Sequence, residues 1–92
     1  MPLEDAMKVY GKALEYYMKL AGLEVQGLAD CLRVNKSTVY TWIGAKAVPR
    51  DLYLLEIDYF LGVNISNIIY LHKERDGRYE KIFRASSICA HN

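Results

Sequence analysis

Lys36, Ser37, Tyr40 and Thr41 are the side chains of this chain whose types and spacing suit them to chemistry. They recur at steps of three and four residues, so a helix sets all four on one face. Together they offer one ammonium and three hydroxyls, which donate and accept hydrogen bonds. Cations bracket them, with Arg33 before and Lys46 and Arg50 after, and the amides of Gln26 and Asn35 lie close in sequence. This is the chemistry of holding a polar, anionic partner, not of making or breaking bonds. The chain has no nucleophile–base pair, no carboxylate dyad and no phosphate-cradling glycine loop, so no enzymatic activity is expected. Cys31 and Cys89 lack metal-ligand spacing, and His72 and His91 are isolated. No metal, cofactor or small-molecule ligand is expected.

Two helices must position that face. Leu28, Ala29 and Leu32 form one apolar stripe at helical spacing, and Val39, Trp42 and Ile43 form the next. Arg33-Val34-Asn35 separates them and is too short for an element of its own. Helices joined by so short a turn cross steeply. Ala29 is small where the two must approach, and Val34 is apolar inside the turn, as a plug for the angle between them. The side chain of Asn35 is suited to cap the second helix. The spacing predicts helices over residues 24–32 and 36–43, the latter ended by Gly44.

The stretch Gly22, Leu23, Leu28, Ala29, Leu32, Val34, Ser37, Thr38, Val39, Trp42, Lys46 and Pro49 resembles the lambda repressor/Cro-like (XRE-family) helix-turn-helix domain. The likeness extends to Gly11-Lys12-Ala13-Leu14 on one side and to Leu54, Ile57, Leu61, Gly62 and Val63 on the other, covering about residues 10–70. It implies an all-α, five-helix DNA-binding domain whose third helix lies in the major groove, where all four base pairs are distinguishable. Lys36 would then reach guanine, Ser37 and Thr41 a base edge or phosphate, and Tyr40 a thymine methyl or a phosphate. Thr38 would serve the helix N-terminus. Gln26, Arg33, Asn35, Lys46 and Arg50 would hold phosphates, which set affinity and register. Within the motif the chain departs from the family pattern at Val25, at Gly27, which weakens its helix by about 1 kcal/mol relative to alanine, and at Arg33. Val25 replaces a phosphate-contacting glutamine, with Gln26 one position late. Arg33 replaces a glycine, at a turn position where a left-handed backbone costs a side chain about 1–2 kcal/mol.

The flanking segments read as support. Leu3, Met7, Tyr10, Leu14, Tyr17 and Ala21 predict a first helix over 3–21 with that face inward. Lys8, Lys12, Glu15 and Lys19 take its other side. A fourth helix over 51–61 is apolar nearly all round. Leu54, Ile57 and Leu61 face the core, which leaves Leu52, Leu55, Tyr59 and Phe60 for a second partner, such as another subunit or the C-terminal segment. Asp58, in a slot usually small and buried, calls for a tyrosine or arginine partner. A short fifth helix is expected over 65–71, capped by Ser66 or Asn64. Beyond it, Asp76-Gly77 predicts a β-hairpin pairing Tyr70 with Phe83 and Leu71 with Ile82, with a continued helix as the rival. Residues 85–92 are expected to be disordered.

Ninety-two residues with a net charge of +1 allow one domain and exclude a generally basic nucleic-acid glue. The expected division is a helix-turn-helix domain over 1–71, with the motif itself at 24–44, and a C-terminal hairpin or extended tail over 72–92 that covers the fourth helix or joins a dimer. Charge is distributed unevenly: residues 24–50 carry +2, and residues 51–71 carry −3. No run of apolar residues is long enough for a membrane span, and the acidic N-terminus lacks a signal-peptide pattern, so the cytoplasm is the expected location.

The function expected from the resemblance is a sequence-specific regulator that binds double-stranded DNA. It would be a repressor acting as a homodimer by occluding a promoter, from a bacterium, phage or mobile element. The competing expectation is an antitoxin- or adaptor-like interaction module that keeps the fold and has lost sequence-specific DNA binding.

Overall fold

A computed structural model of the chain describes residues 2–75. Within them lie five helices: α1 (Leu3–Ala21), α2 (Val25–Leu32), α3 (Lys36–Ile43), α4 (Asp51–Leu61) and α5 (Asn67–Arg75). The all-α, five-helix architecture is the one expected. α1 is the central strut and packs against α3, α5 and α4, while α2 packs on α3.

α1 carries Glu4 and Asp5 in its first turn and Lys19 in its last, which complements the helix dipole. Its buried face keeps Tyr10 and Leu14 of the expected one but is rotated slightly. Ala6, Tyr10, Leu14 and Met18 are buried, whereas Leu3 and Ala21 are exposed and Met7 and Tyr17 are partly covered. The helix has a second apolar stripe, Val9, Tyr16 and Leu20, which stays exposed. With two neighbouring stripes, tertiary packing sets the rotation of the helix. Gly11 lies on the packed side, and a Cβ there would come within 2.8 Å of the Trp42 carbonyl oxygen. Glycine lets α1 and the end of α3 touch backbone to backbone.

The core continues through Leu28, Ala29 and Leu32 of α2, Val39 and Trp42 of α3, Leu54 and Ile57 of α4, and Ile65 and Ile69. Ile43 and Leu61 sit at its margin, as does Val34, which closes the angle between α2 and α3. The ring of Trp42 lies 5.7 Å from that of Tyr53 and so ties α3 to α4.

α1, α2 and α3 end in one way. In each, the amide of the residue just after a left-handed one reaches back five residues: Leu23 to Met18, Val34 to Ala29, Lys46 to Thr41. α4 does the same with Val63 and Asp58. This closure needs one left-handed residue. The four are Gly22 (φ 67°), Arg33 (φ 59°), Ala45 (φ 61°) and Gly62 (φ 66°). The two non-glycines are those on either side of α3. Gly44 itself has φ −80° and makes no use of its freedom. At Arg33 the turn keeps its left-handed form despite the side chain.

Two expectations about caps and one about the chain's end need correction. Asn35 occupies the N-cap position of α3, but its side chain makes no capping hydrogen bond. α5 begins at Asn67, not at 65, and the donors before it are held by Asp58. The amides of Ile65 (3.1 Å) and Ser66 (3.3 Å) donate to its carboxylate, while Ser66 Oγ meets only Asn64 Oδ1 at 3.5 Å. Asp58 therefore serves backbone amides, and its contact with a tyrosine is electrostatic, with Tyr10. α5 then runs through positions 70–75, which the hairpin needed as its first strand. Burial of Ile69 in the core holds this segment helical as far as Arg75. The second half of that hairpin and the tail lie outside the described residues.

Candidate nucleic-acid interface

The eight residues of α3 divide cleanly. Val39 and Trp42 are buried and fix the helix, while Lys36, Ser37 and Tyr40 are exposed. Thr41 is half-buried, and its hydroxyl donates to the carbonyl oxygen of Thr38 in the preceding turn. Its donor is spent inside the helix, so the free outward set reduces to Lys36, Ser37 and Tyr40. Thr38 contributes its carbonyl there, and its N–H donates to the Asn35 carbonyl oxygen.

Cations stand at both ends of this face. Arg33, held in its left-handed turn, and Asn35 immediately precede α3, and both are exposed. Lys46 and Arg50 follow it and are exposed too. Pro49 is buried between them and Val48 packs on the core, so the 44–50 loop is pinned to the domain. Gln26 is exposed but committed, since its amide Nε2 donates to Asp30 Oδ1 at 2.8 Å.

A groove of about 730 Å³ adjoins α3. The C-terminal half of α1, the start of α2 and the outward face of α3 form its walls. It brings Gln26, Lys36 and Tyr40 together; Ser37, Thr41, Arg33, Asn35, Lys46 and Arg50 lie outside its lining. The other lining residues were not among the expected contacts, and Lys19 and Val25 stand out among them. Lys19 falls on the polar side of α1, and no local pattern connects it with α3, 17 residues or more away in sequence. Glu15 and Glu24 also line the groove, so its charges balance. Leu23, Val25 and Ile43 give it an apolar wall.

The exposed apolar residues of α4 form a separate surface. Leu52, Leu55 and Tyr59 follow one another at three- and four-residue steps and are 63%, 57% and 82% exposed. Phe60 flanks them, its ring edge-on to Tyr59 at 5.7 Å. No helix of the described residues is long and apolar enough to cross a membrane. No group of metal-ligating side chains occurs among the described residues.

The sequence pattern of the bacteriophage CI repressor helix-turn-helix domain matches residues 12–75, which spans α3 and nearly the whole described fold. Searches of curated proteins and of solved structures found no match. A match over 64 of 92 residues, on a five-helix fold that presents a polar second motif helix, settles the family. The chain belongs to the bacteriophage CI repressor helix-turn-helix domain family, a family of DNA-binding regulators of the lambda repressor type.

Proposed function

We propose that the chain is a sequence-specific repressor that binds double-stranded DNA as a homodimer and acts by occluding a promoter in the cytoplasm. The observation that carries this reading is the division of α3. Two buried side chains anchor it to the core, and Lys36, Ser37 and Tyr40 project from it, with cations at either end. A helix presented in this way fits the major groove. Lys36 donates to guanine O6 and N7, Ser37 bonds a base edge, and Tyr40 lies against a neighbouring base. Thr41 offers only its acceptor lone pairs. Arg33, Asn35, Lys46 and Arg50 take the phosphates, and Gln26 does so only by leaving Asp30. The apolar ridge of α4 (Leu52, Leu55, Tyr59 and Phe60) joins two copies, which set their α3 helices one turn of DNA apart, about 34 Å.

In-vitro selection from random duplex DNA tests the proposal. A two-fold symmetric motif, bound with an affinity that falls steeply with salt, supports it. Folded protein that enriches no motif at low salt overturns it. A second reading, an interaction module without sequence-specific DNA binding, draws on one observation. Gln26 is tied to Asp30, and Glu24 stands at the start of α2, where a phosphate would be repelled. That reading predicts no motif and a protein partner on α4.

A further inference from the structure

We propose that Val25 and Tyr40 together read the C5-methyl group of a thymine in each half-site. The inference rests on the DNA-binding reading above and names what its groove recognises. Val25, the first residue of α2, is half-buried, and Tyr40 is 56% exposed on α3. The two come from different helices and line one groove, whose wall Leu23 and Ile43 continue. Lys36 lines the same groove, so the apolar wall is continuous with the face assigned to the bases.

Charge decides what part of the duplex this wall meets. Lys19 and Lys36 are balanced there by Glu15 and Glu24. A phosphate needs a net positive seat. Base edges are neutral, and they tolerate carboxylates nearby. Among the groups that base pairs show in the major groove, the thymine methyl is the apolar one. An apolar corner at the edge of a base-reading helix has that one complement. Covering a methyl group there excludes water from both surfaces, which is worth roughly a three- to tenfold change in affinity.

The test uses the full chain and the operator that selection returns. Each thymine is replaced in turn by deoxyuridine, which lacks only the methyl group. One position in each half-site is expected to lose three- to tenfold in affinity, and the others to change little. Val25→Ser is expected to bind thymine and uracil operators equally at that position. Tyr40→Ala, at an exposed site, reports the same if Val25→Ser fails to fold. The proposal is overturned if no thymine position senses the loss of its methyl group. It is equally overturned if the uracil effect persists in full in the folded variants. Failure to select any operator would instead remove the DNA-binding reading on which the inference stands.

Discussion

The backbone of Gly11 lies directly against the carbonyl oxygen of Trp42, so that a Cβ on Gly11 would fall 2.8 Å from it and nearer still to that of Ile43. α1 thereby sets the height at which the end of α3 leaves the domain. Alanine favours a helix over glycine by about 1 kcal/mol, but here two backbone carbonyls must move to admit it. Gly11→Ala is expected to destabilise the domain by about 1–3 kcal/mol in urea denaturation. DNA affinity should fall further than the loss of folded protein explains, because α3 shifts.

Arg33 and Ala45, the left-handed residues on either side of α3, predict a separation of stability from binding. Glycine at either position relieves backbone strain of about 1–2 kcal/mol and loses part of that to the freer unfolded chain. Arg33→Gly and Ala45→Gly should each raise stability by about 0.5–1 kcal/mol. Arg33→Gly should nonetheless weaken DNA binding and reduce the salt dependence by about one phosphate contact, whereas Ala45→Gly leaves the slope unchanged. Thermal melts and a salt series read the two effects independently.

Tyr10 gives the domain a specific weakness at high pH. Its hydroxyl is buried and finds no hydrogen-bond partner among the described residues. Burial, then the charge of Asp58, then Tyr70 push its pKa well above the usual value near 10. Above pH 10 the unfolded chain gives up this proton and the folded one keeps it. Stability therefore falls as pH rises from there, by up to about 1.4 kcal/mol per unit from this group, and is untouched below. Tyr10→Phe should be neutral or stabilising at pH 7. Its denaturation midpoint should decline less than that of the wild type between pH 9 and pH 11.

The ridge of α4 predicts the assembly state. Leu55 is exposed, so Leu55→Glu should fold normally by circular dichroism. Sedimentation equilibrium should find the wild type dimeric and the variant monomeric. The variant should bind the full operator no better than a half-site. A monomeric wild type would remove α4 as the dimer contact.

What could be read in the sequence divides according to the range of the interactions. The motif helices were legible because Leu28, Leu32, Val39 and Trp42 repeat at helical steps, and because the turn between them is three residues long. The left-handed turn at Arg33 was suggested only by the family's usual glycine there, and the fold decides it. The inward face of α1 was legible at Tyr10 and Leu14, whereas the burial of Ala6 and Met18 and the exposure of Leu3 and Ala21 are set by tertiary packing. Asp58 was opaque because its partners are amides seven and eight residues on, across a helix end. The fifth helix was cut short because Asp76-Gly77 signals a turn strongly, while the burial of Ile69 depends on α1. At the interface, exposure of Lys36, Ser37 and Tyr40 followed from the stripe opposite them. The commitments of Thr41 and Gln26 to neighbouring acceptors, and the approach of Lys19 and Val25 to α3, required the fold.

Selection of DNA motifs with the wild type and with Lys36→Ala, side by side, tests most directly whether α3 reads bases. A symmetric motif is expected for the wild type, and the variant should lose discrimination at one position in each half-site, worth about 1–3 kcal/mol, with the rest of the motif kept. An identical motif and affinity for Lys36→Ala, or no motif for the folded wild type, would contradict the account.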